Sequence, residues 1–485
     1  MEDSQLKKSA FTGMLWKLAE RIGAQGVTLL ISIILARLLT PDDYSVVGVV
    51  NVFFAFCNVF IIGGFNSALI QKKDADQKDY SSVLLVSLGI AGVLYAVIFF
   101  CAPWIAALYR KPLLNPVFRV MGICLIIDAV KAVLYAYVSN QLQFKKFFFA
   151  TLCGTLSSAT VGIIMAMAGF GPWALVAQKM VSSIADTLVL TLTSKFRIKL
   201  QVSFQRIKQL FSYGWKIFVA TIISTLYDQC NPLIIGLRFS TVDLSFYSKG
   251  QSFPLALNSA LDGALSSVLF PVMSKVQDDA ASVLNYTRKF MRTASYVIFP
   301  VMVGFLAVSD SFITVLLTDK WQGASIYIKI FCITYMFNII QNGNLQTIRA
   351  IGRSDIILKL EIIKKSLYFV VILTAILLAK EPYWLAVATI VNTAIAIVVN
   401  TMPNRNLIGY KLRLQIMDLL PNLLLAAVMG AAVYALNFVQ MHALLKLMTQ
   451  CICGVAVYVG LSIITKNENF HFLLNTLGKY IFKRR

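Results

Sequence analysis

The chain reads as a succession of apolar runs of about twenty residues, separated by short polar segments from one end to the other. Wound as a helix, a run of that length matches the hydrocarbon thickness of a bilayer. Fourteen such runs are expected, near 12–39, 44–66, 81–106, 116–138, 147–168, 172–194, 214–238, 243–270, 293–317, 323–346, 358–379, 383–402, 418–439 and 443–464. The runs at 214–238 and 243–270 carry several polar groups. Met1 to Ala10 is short and polar, and no small-residue cleavage site follows the first apolar run, which predicts an uncleaved first helix. The pattern specifies an all-α polytopic membrane protein of about fourteen transmembrane helices.

Composition sharpens this. Of 485 residues 58% are hydrophobic and only 14% charged, where a soluble domain is near one-quarter charged. A soluble multidomain enzyme and a single-anchor protein are both excluded. The formal net charge of +22 would by itself suit a nucleic-acid partner. Most Lys and Arg, however, lie in short connections between apolar runs, concentrated in alternate ones, as membrane topology requires. No nucleic-acid partner is expected, and the bias places both termini in the cytoplasm. All eight cysteines fall inside apolar runs, and the histidines are only His442 and His471. Neither a disulfide framework nor a metal or cofactor site is expected.

The connections leave no room for an extramembrane domain that would present catalytic carboxylates, so the chain is not read as an enzyme. The connection 195–213 carries five cations. In it, Ser203 is placed to cap a short amphipathic helix with Phe204, Ile207, Leu210 and Phe211 on one face, lying on the lipid surface or serving as a solvated linker.

A weak internal repeat divides the chain. Trp16-Lys17 opens the first span and Trp215-Lys216 the seventh. Arg37, Thr40 and Asp42 close the first, and Arg238, Thr241 and Asp243 the seventh, with Gly48 and Gly250 following. Copies six helices apart share one orientation, a recognised transporter plan. The expected organisation is a six-helix bundle over 1–194, a cytoplasmic linker over 195–213, a second six-helix bundle over 214–402, and two extra helices with a basic tail over 403–485.

Several stretches resemble one family. They are Ile34 to Tyr44 (ILARLLTPDDY), Gly64 to Asp74 (GFNSALIQKKD), Tyr247 to Gly250 (YSKG), Phe270 to Ser274 (FPVMS) and Gly352 to Asp355 (GRSD). Together they resemble the Wzx-type polysaccharide-biosynthesis flippases of the multidrug/oligosaccharidyl-lipid/polysaccharide exporter superfamily. One departure is Ser45, since an aromatic-Gly pair is common at Tyr44-Ser45. The resemblance implies two six-helix bundles, a central cavity and alternating access. It also implies a bacterial inner-membrane protein that moves oligosaccharide on a polyprenyl (undecaprenyl) pyrophosphate carrier from the cytoplasmic to the outer leaflet. Surface polysaccharide synthesis and a polymerase or export machinery as partner follow from the same resemblance, as does contact with membrane lipids. The alternative within the superfamily is a cation-coupled multidrug exporter.

An ionisable side chain at mid-bilayer costs roughly 2.5–3.5 kcal/mol on insertion scales, so each should face a cavity or a partner. A pyrophosphate cargo asks for cations. The candidates to bind it are Lys17 and Arg21, four apart in the first span, with Lys131, Lys179 and Lys249. Candidates for coupling or ion pairing are Glu20, Asp128, Asp186, Asp228 and Asp262. For Lys17 the competing reading is snorkelling to the interface. Asp128 and Lys131, three apart, read equally as a structural pair or as cavity lining. Lys179 and Asp186 lie two turns apart on one helix face, extended by Gln178 and Ser182. Asp228 precedes Cys230, Asn231 and Pro232, where a kink is expected. The amides Asn338, Gln341, Asn342 and Asn344 of the tenth span read as sugar ligands or, more simply, as helix-to-helix glue.

Overall fold

A computed structural model describes residues 26–72, 75–141, 143–194, 203–274, 279–472 and 474, without the side chains of Tyr213, 262–272, Ser274 and Ser354. These residues form helices and no strand. The chain divides into two compact units, Met1–Ser245 and Phe246–Arg485. The first contains α1 (Gly26–Leu38), α2 (Pro41–Ile62), α3 (Phe65–Gln71), α4 (Gln77–Leu108), α5 (Leu114–Asn140), α6 (Lys145–Met167), α7 (Pro172–Thr193) and α8 (Phe204–Ile234). From the start of α9 (Thr241–Ser274) the chain passes into the second. There follow α10 (Ala280–Phe312), α11 (Ser325–Met336), α12 (Asn338–Ala350), α13 (Ser354–Leu378), α14 (Tyr383–Ile408), α15 (Leu412–Ala435) and α16 (Ala443–Ile464).

Among the described residues, nine helical segments are long and apolar enough to cross a membrane, ten if the bent α8 is included. The expected runs at 116–138, 243–270 and 358–379 are helical too, as α5, α9 and α13. They carry more charge, for instance Arg119, Asp128 and Lys131 in α5.

Turn chemistry sets the helix starts. Thr40 accepts from the Asp43 amide at 3.2 Å while the Asp43 carboxylate accepts from the Thr40 amide at 2.8 Å, a reciprocal cap with Pro41 in the first helical turn. Ser240 and Asp243 repeat the arrangement before α9: the Asp243 amide donates to Ser240 Oγ at 3.0 Å and Ser240 Oγ donates to the Asp243 carboxylate at 2.6 Å. The two caps pair Thr40 with Asp43 and Ser240 with Asp243, one position off the residues matched in the sequence. Ser45, where the family pattern commonly has glycine, is fully buried. Its hydroxyl donates to the Asp42 carbonyl and accepts from Lys111, whose ammonium also reaches the Asp42 carboxylate.

The amphipathic segment is helical and docks on neighbouring helices through part of its apolar face. Helix α8 bends by 56° between Ser212 and Gly214, and the short arm before the bend docks on the first unit. Leu210 is buried, and with Ile207 it joins a core of Phe65, Leu69, Tyr80, Val83 and Phe147. Phe204 alone of the predicted face is almost fully exposed. Arg206 pairs with Asp76 and, at 3.3 Å, with the buried Asp79, which also holds Lys72 at 2.6 Å. Burial raises the Asp76 carboxyl, but the hydrogen bonds from Arg206 and the Asp79 amide outweigh it and hold the group below the usual carboxylate range. Ser203 does not cap with its side chain; its amide donates instead to Ser82 Oγ at 3.0 Å. The bend falls where Gly64, at φ +86°, and Gly214 meet backbone to backbone, so that a Cβ on either would overlap the other. Pro232 produces no break of its own: the helix runs through it into a wide π turn, Ile235–Phe239. The rest of α8 packs on α2, α3 and α4, so the helix that the sequence reading groups with the second bundle is compact with the first.

Candidate functional site

In the first unit the charges gather where α5, α6 and α7 meet. Asp128 on α5 is buried, and its Oδ1 accepts from Lys131 Nζ at 2.8 Å and from Ser183 Oγ of α7 at 2.6 Å. Lys131 Nζ lies 3.5 Å from the same hydroxyl. Ser183 therefore ties α7 to the ion pair, a link the sequence did not suggest. One turn before Ser183, Lys179 is exposed and makes no ion pair among the described residues. It is about 10 Å along α7 at 1.5 Å per residue, well inside the length that crosses the bilayer.

Asp186 lies two turns beyond Lys179 on the same stripe of α7 and is placed by α6. A ladder of small residues (Ala150, Gly154, Ser158, Gly162 and Ala166) runs along the buried face of α6, which lets the helices approach closely. A Cβ on Gly154 would collide with the Asp186 carboxylate, and one on Gly162 would come within 3.1 Å of Gln178. The spacing of Lys179 and Asp186 was legible in the sequence, but the polar neighbours read there were Gln178 and Ser182, not Ser183. The glycines that seat the stripe are visible only in the packing.

The other candidates are not brought to this cluster. Lys17, Glu20 and Arg21 lie outside the described residues, as does the side chain of Asp262. Asp228 is exposed on α8, one turn beyond Ser224. An open concavity of about 530 Å³ lies along that face, against Lys216, Ala220, Thr221 and Ser224. Lys249 is in the second unit, buried between the rings of Phe253 and Trp321 with Nζ 5.8 and 5.6 Å from their centroids. Aromatic faces stabilise a desolvated ammonium. The YSKG stretch is a packing motif here: Tyr247 meets Tyr327 and Phe331 edge-on, and Gly250 fits against the Tyr327 side chain. The GRSD stretch forms the turn from α12 to α13. Gly352 takes φ +80°, and Arg353 grips Asp355 with two bonds of 2.9 Å, whose hydrogen bonding holds that exposed carboxyl down at about 2.

Three polar clusters lie in the second unit, and the sequence reading singles out residues of the third. Asp418 accepts from Arg288, Arg292 and Tyr410. Asp310 pairs with Lys329 at 2.8 Å and accepts from Ser325. Asn344 is fully buried in a network with Thr401, Asn404 and Gln415 that joins α12, α14 and α15. That network assigns Asn344 to holding helices together, while Gln341 bonds to Asn338 at 3.1 Å. Sequence shows Arg288 and Arg292 one helical turn apart. It does not show that their carboxylate is on α15.

Long apolar helices that enclose paired charges define a multi-pass membrane protein. A family model described as polysaccharide biosynthesis protein matches residues 34–326, and the chain belongs to that family. It is 23% identical over 309 residues to the succinoglycan biosynthesis transport protein ExoT of Rhizobium meliloti, covering 64% of this chain and 63% of that protein. It is 20% identical to the lipopolysaccharide biosynthesis protein WzxC of Escherichia coli, covering 75% and 74%. Against the teichuronic acid biosynthesis protein TuaB of Bacillus subtilis the identity is 22%, covering 84% and 85%. The fold is shared with the lipid II flippase MurJ in an inward closed conformation: TM-score 0.76 at 16% identity, covering 94% of this chain and 99% of that one. It is shared also with an inward-facing multidrug resistance MATE family transporter of the MOP superfamily, at TM-score 0.60 and 14% identity over 80% of this chain and 98% of that one.

Proposed function

We propose that the protein is a flippase that carries oligosaccharide on a polyprenyl pyrophosphate from the cytoplasmic to the outer leaflet of a bacterial inner membrane. In this reading it has fourteen crossings, both termini cytoplasmic, and works by alternating access. The product feeds a polymerase or export machinery of surface polysaccharide synthesis. The relatives' names support polysaccharide precursors as cargo, and the MurJ likeness supports a fold suited to a lipid-borne one.

The observation that carries the reading is the charge state of the α5–α7 cluster. Asp128 is neutralised by Lys131 and Ser183, while Lys179 is left open on a helix that crosses the membrane. An open cation in that position suits a pyrophosphate, which it meets by charge-assisted hydrogen bonds. A cation exporter would need the reverse at this cluster, an open carboxylate; the exposed Asp228 is on α8 and not in it. The direction suits an inside-negative potential, which drives an anion outward by roughly 2.3 kcal/mol per charge per 100 mV.

Binding tests the role of Lys179. A hydrogen bond to a charged group contributes about 1.5–3 kcal/mol, so Lys179→Ala is expected to weaken binding of a fluorescent polyprenyl-pyrophosphate oligosaccharide by about 10–100-fold. Lys179→Arg should stay within a few-fold of the parent. Fluorescence anisotropy on detergent-purified protein reads both. Unchanged affinity in Lys179→Ala removes the residue from the cargo path.

A further inference from the structure

At one end of the second unit a cavity of about 710 Å³ opens between α10, α15 and the turn that follows α16. Its lining changes character along its length. At the helix ends it is polar: Arg292 of α10, Asn422 of α15, and Lys466, Glu468 and Asn469 of the turn. Deeper along α15 and α16 it is apolar, formed by Leu424, Val428 and Leu461, the first two more than half exposed.

The polar end is built rather than incidental. Arg292 spends Nε and Nη2 on Asp418, at 3.0 and 2.5 Å, so its Nη1 is not used by that carboxylate. Asn422 Nδ2 donates to the Arg292 carbonyl and to Ser295 Oγ, both at 2.8 Å. Asn467 ties the turn to α15 through a 3.3 Å bond to Asn422 and to α16 through its amide on the Ser462 carbonyl at 3.0 Å. Lys466 takes a left-handed backbone, φ +48°, within this turn. Lys289, one residue after Arg288, rests 4.2 Å over the Phe472 ring. Among the described residues that line the cavity, Arg292 and Lys466 are matched by Asp418 and Glu468, and Arg288, which also binds Asp418 from outside the lining, tips the local balance positive by one charge.

We infer that this cavity binds an anionic phospholipid of the surrounding leaflet, its phosphate at Arg292, Lys466 and Asn469 and an acyl chain along Leu424, Val428 and Leu461. A soluble anion has no use for an exposed apolar wall. A zwitterionic lipid leaves the positive excess uncompensated, and basic pockets between membrane helices are suited to anionic head groups. The site is separate from the α5–α7 cluster and does not depend on the flippase reading.

The test uses the full-length protein in a neutral detergent, with added phosphatidylglycerol, phosphatidylcholine or free glycerol phosphate. Thermal unfolding and native mass spectrometry are the readouts. Phosphatidylglycerol is expected to raise the unfolding temperature and stay bound through detergent stripping, and phosphatidylcholine to do neither to the same degree. Lys466→Gln, which leaves the Asp418 contacts intact, should weaken phosphatidylglycerol binding by about 3–10-fold, as expected for one exposed charge–phosphate contact. Equal stabilisation by phosphatidylcholine overturns the proposal without any variant being needed. So does full phosphatidylglycerol binding by Lys466→Gln. A shift of the same size with free glycerol phosphate shows a phosphate site and overturns the lipid assignment.

Discussion

Replacing Asp418 by alanine is expected to destabilise the second unit by about 3–5 kcal/mol, the cost of breaking a buried ion pair from one side. The side chain of Asp418 is only 2% exposed. One oxygen accepts from Arg288 Nε and Tyr410 Oη at 2.8 and 2.9 Å, and the other from Arg288 Nη2 and from Nε and Nη2 of Arg292. Removing it strands two guanidinium groups and a fully buried phenol. Burial and the Asp418 charge push the Tyr410 phenol far above its usual range, so it remains a donor and cannot stand in as an anion. Asp418→Asn keeps one acceptor oxygen and should lose less. Denaturation of the detergent-purified variants checks this, and an Asp418→Ala protein as stable as its parent would contradict the assigned role.

A loss of similar size, about 3–5 kcal/mol at most, is expected for Lys131→Ala. Asp128 would keep the Ser183 hydroxyl but no countercharge, with its side chain 8% exposed. Protonation of the carboxyl limits the damage, because a buried acid can neutralise rather than remain charged. Asp128→Asn with Lys131→Gln removes both charges together. That double variant is expected to recover most of the stability and to keep transport within about ten-fold, since the pair's work is to hold Ser183 and thereby α7, a coupling that a shared network makes non-additive. A double variant that folds well yet transports nothing would place the pair in the cargo path itself.

What the sequence made legible follows from how membranes constrain chains. Backbone groups in hydrocarbon must be satisfied within the segment, so apolar runs such as 172–194 and 443–464 translate almost directly into helices, here Pro172–Thr193 and Ala443–Ile464. The stripe of Lys179 and Asp186 was readable because helical spacing is local. Its partners were not: Ser183 reaches Asp128 across 55 positions and Gly154 seats Asp186 from another helix. Asn344 could be read as sugar ligand or helix glue until Gln415, 71 positions away, was seen bonded to it. The arm at 204–212 shows the same limit. Its apolar face was evident, but the core that receives Leu210 and the carboxylates that receive Arg206 come from α3, α4 and α5. Lys249, a cargo-cation candidate in the sequence reading, lies beside Phe253 and Trp321, and the Trp321 neighbour, 72 positions away, is not legible in the sequence.

The most direct test of the account is translocation itself. The purified protein is reconstituted in liposomes with a fluorescent undecaprenyl-pyrophosphate oligosaccharide, and a membrane-impermeant quencher follows the fraction accessible outside. The account predicts that wild-type vesicles equilibrate the lipid across both leaflets far faster than protein-free vesicles, and that Lys179→Ala slows this while Lys179→Arg does not. Wild-type vesicles that hold the lipid in its starting leaflet, across several sugar repeats and with or without ion gradients and a membrane potential, would contradict it.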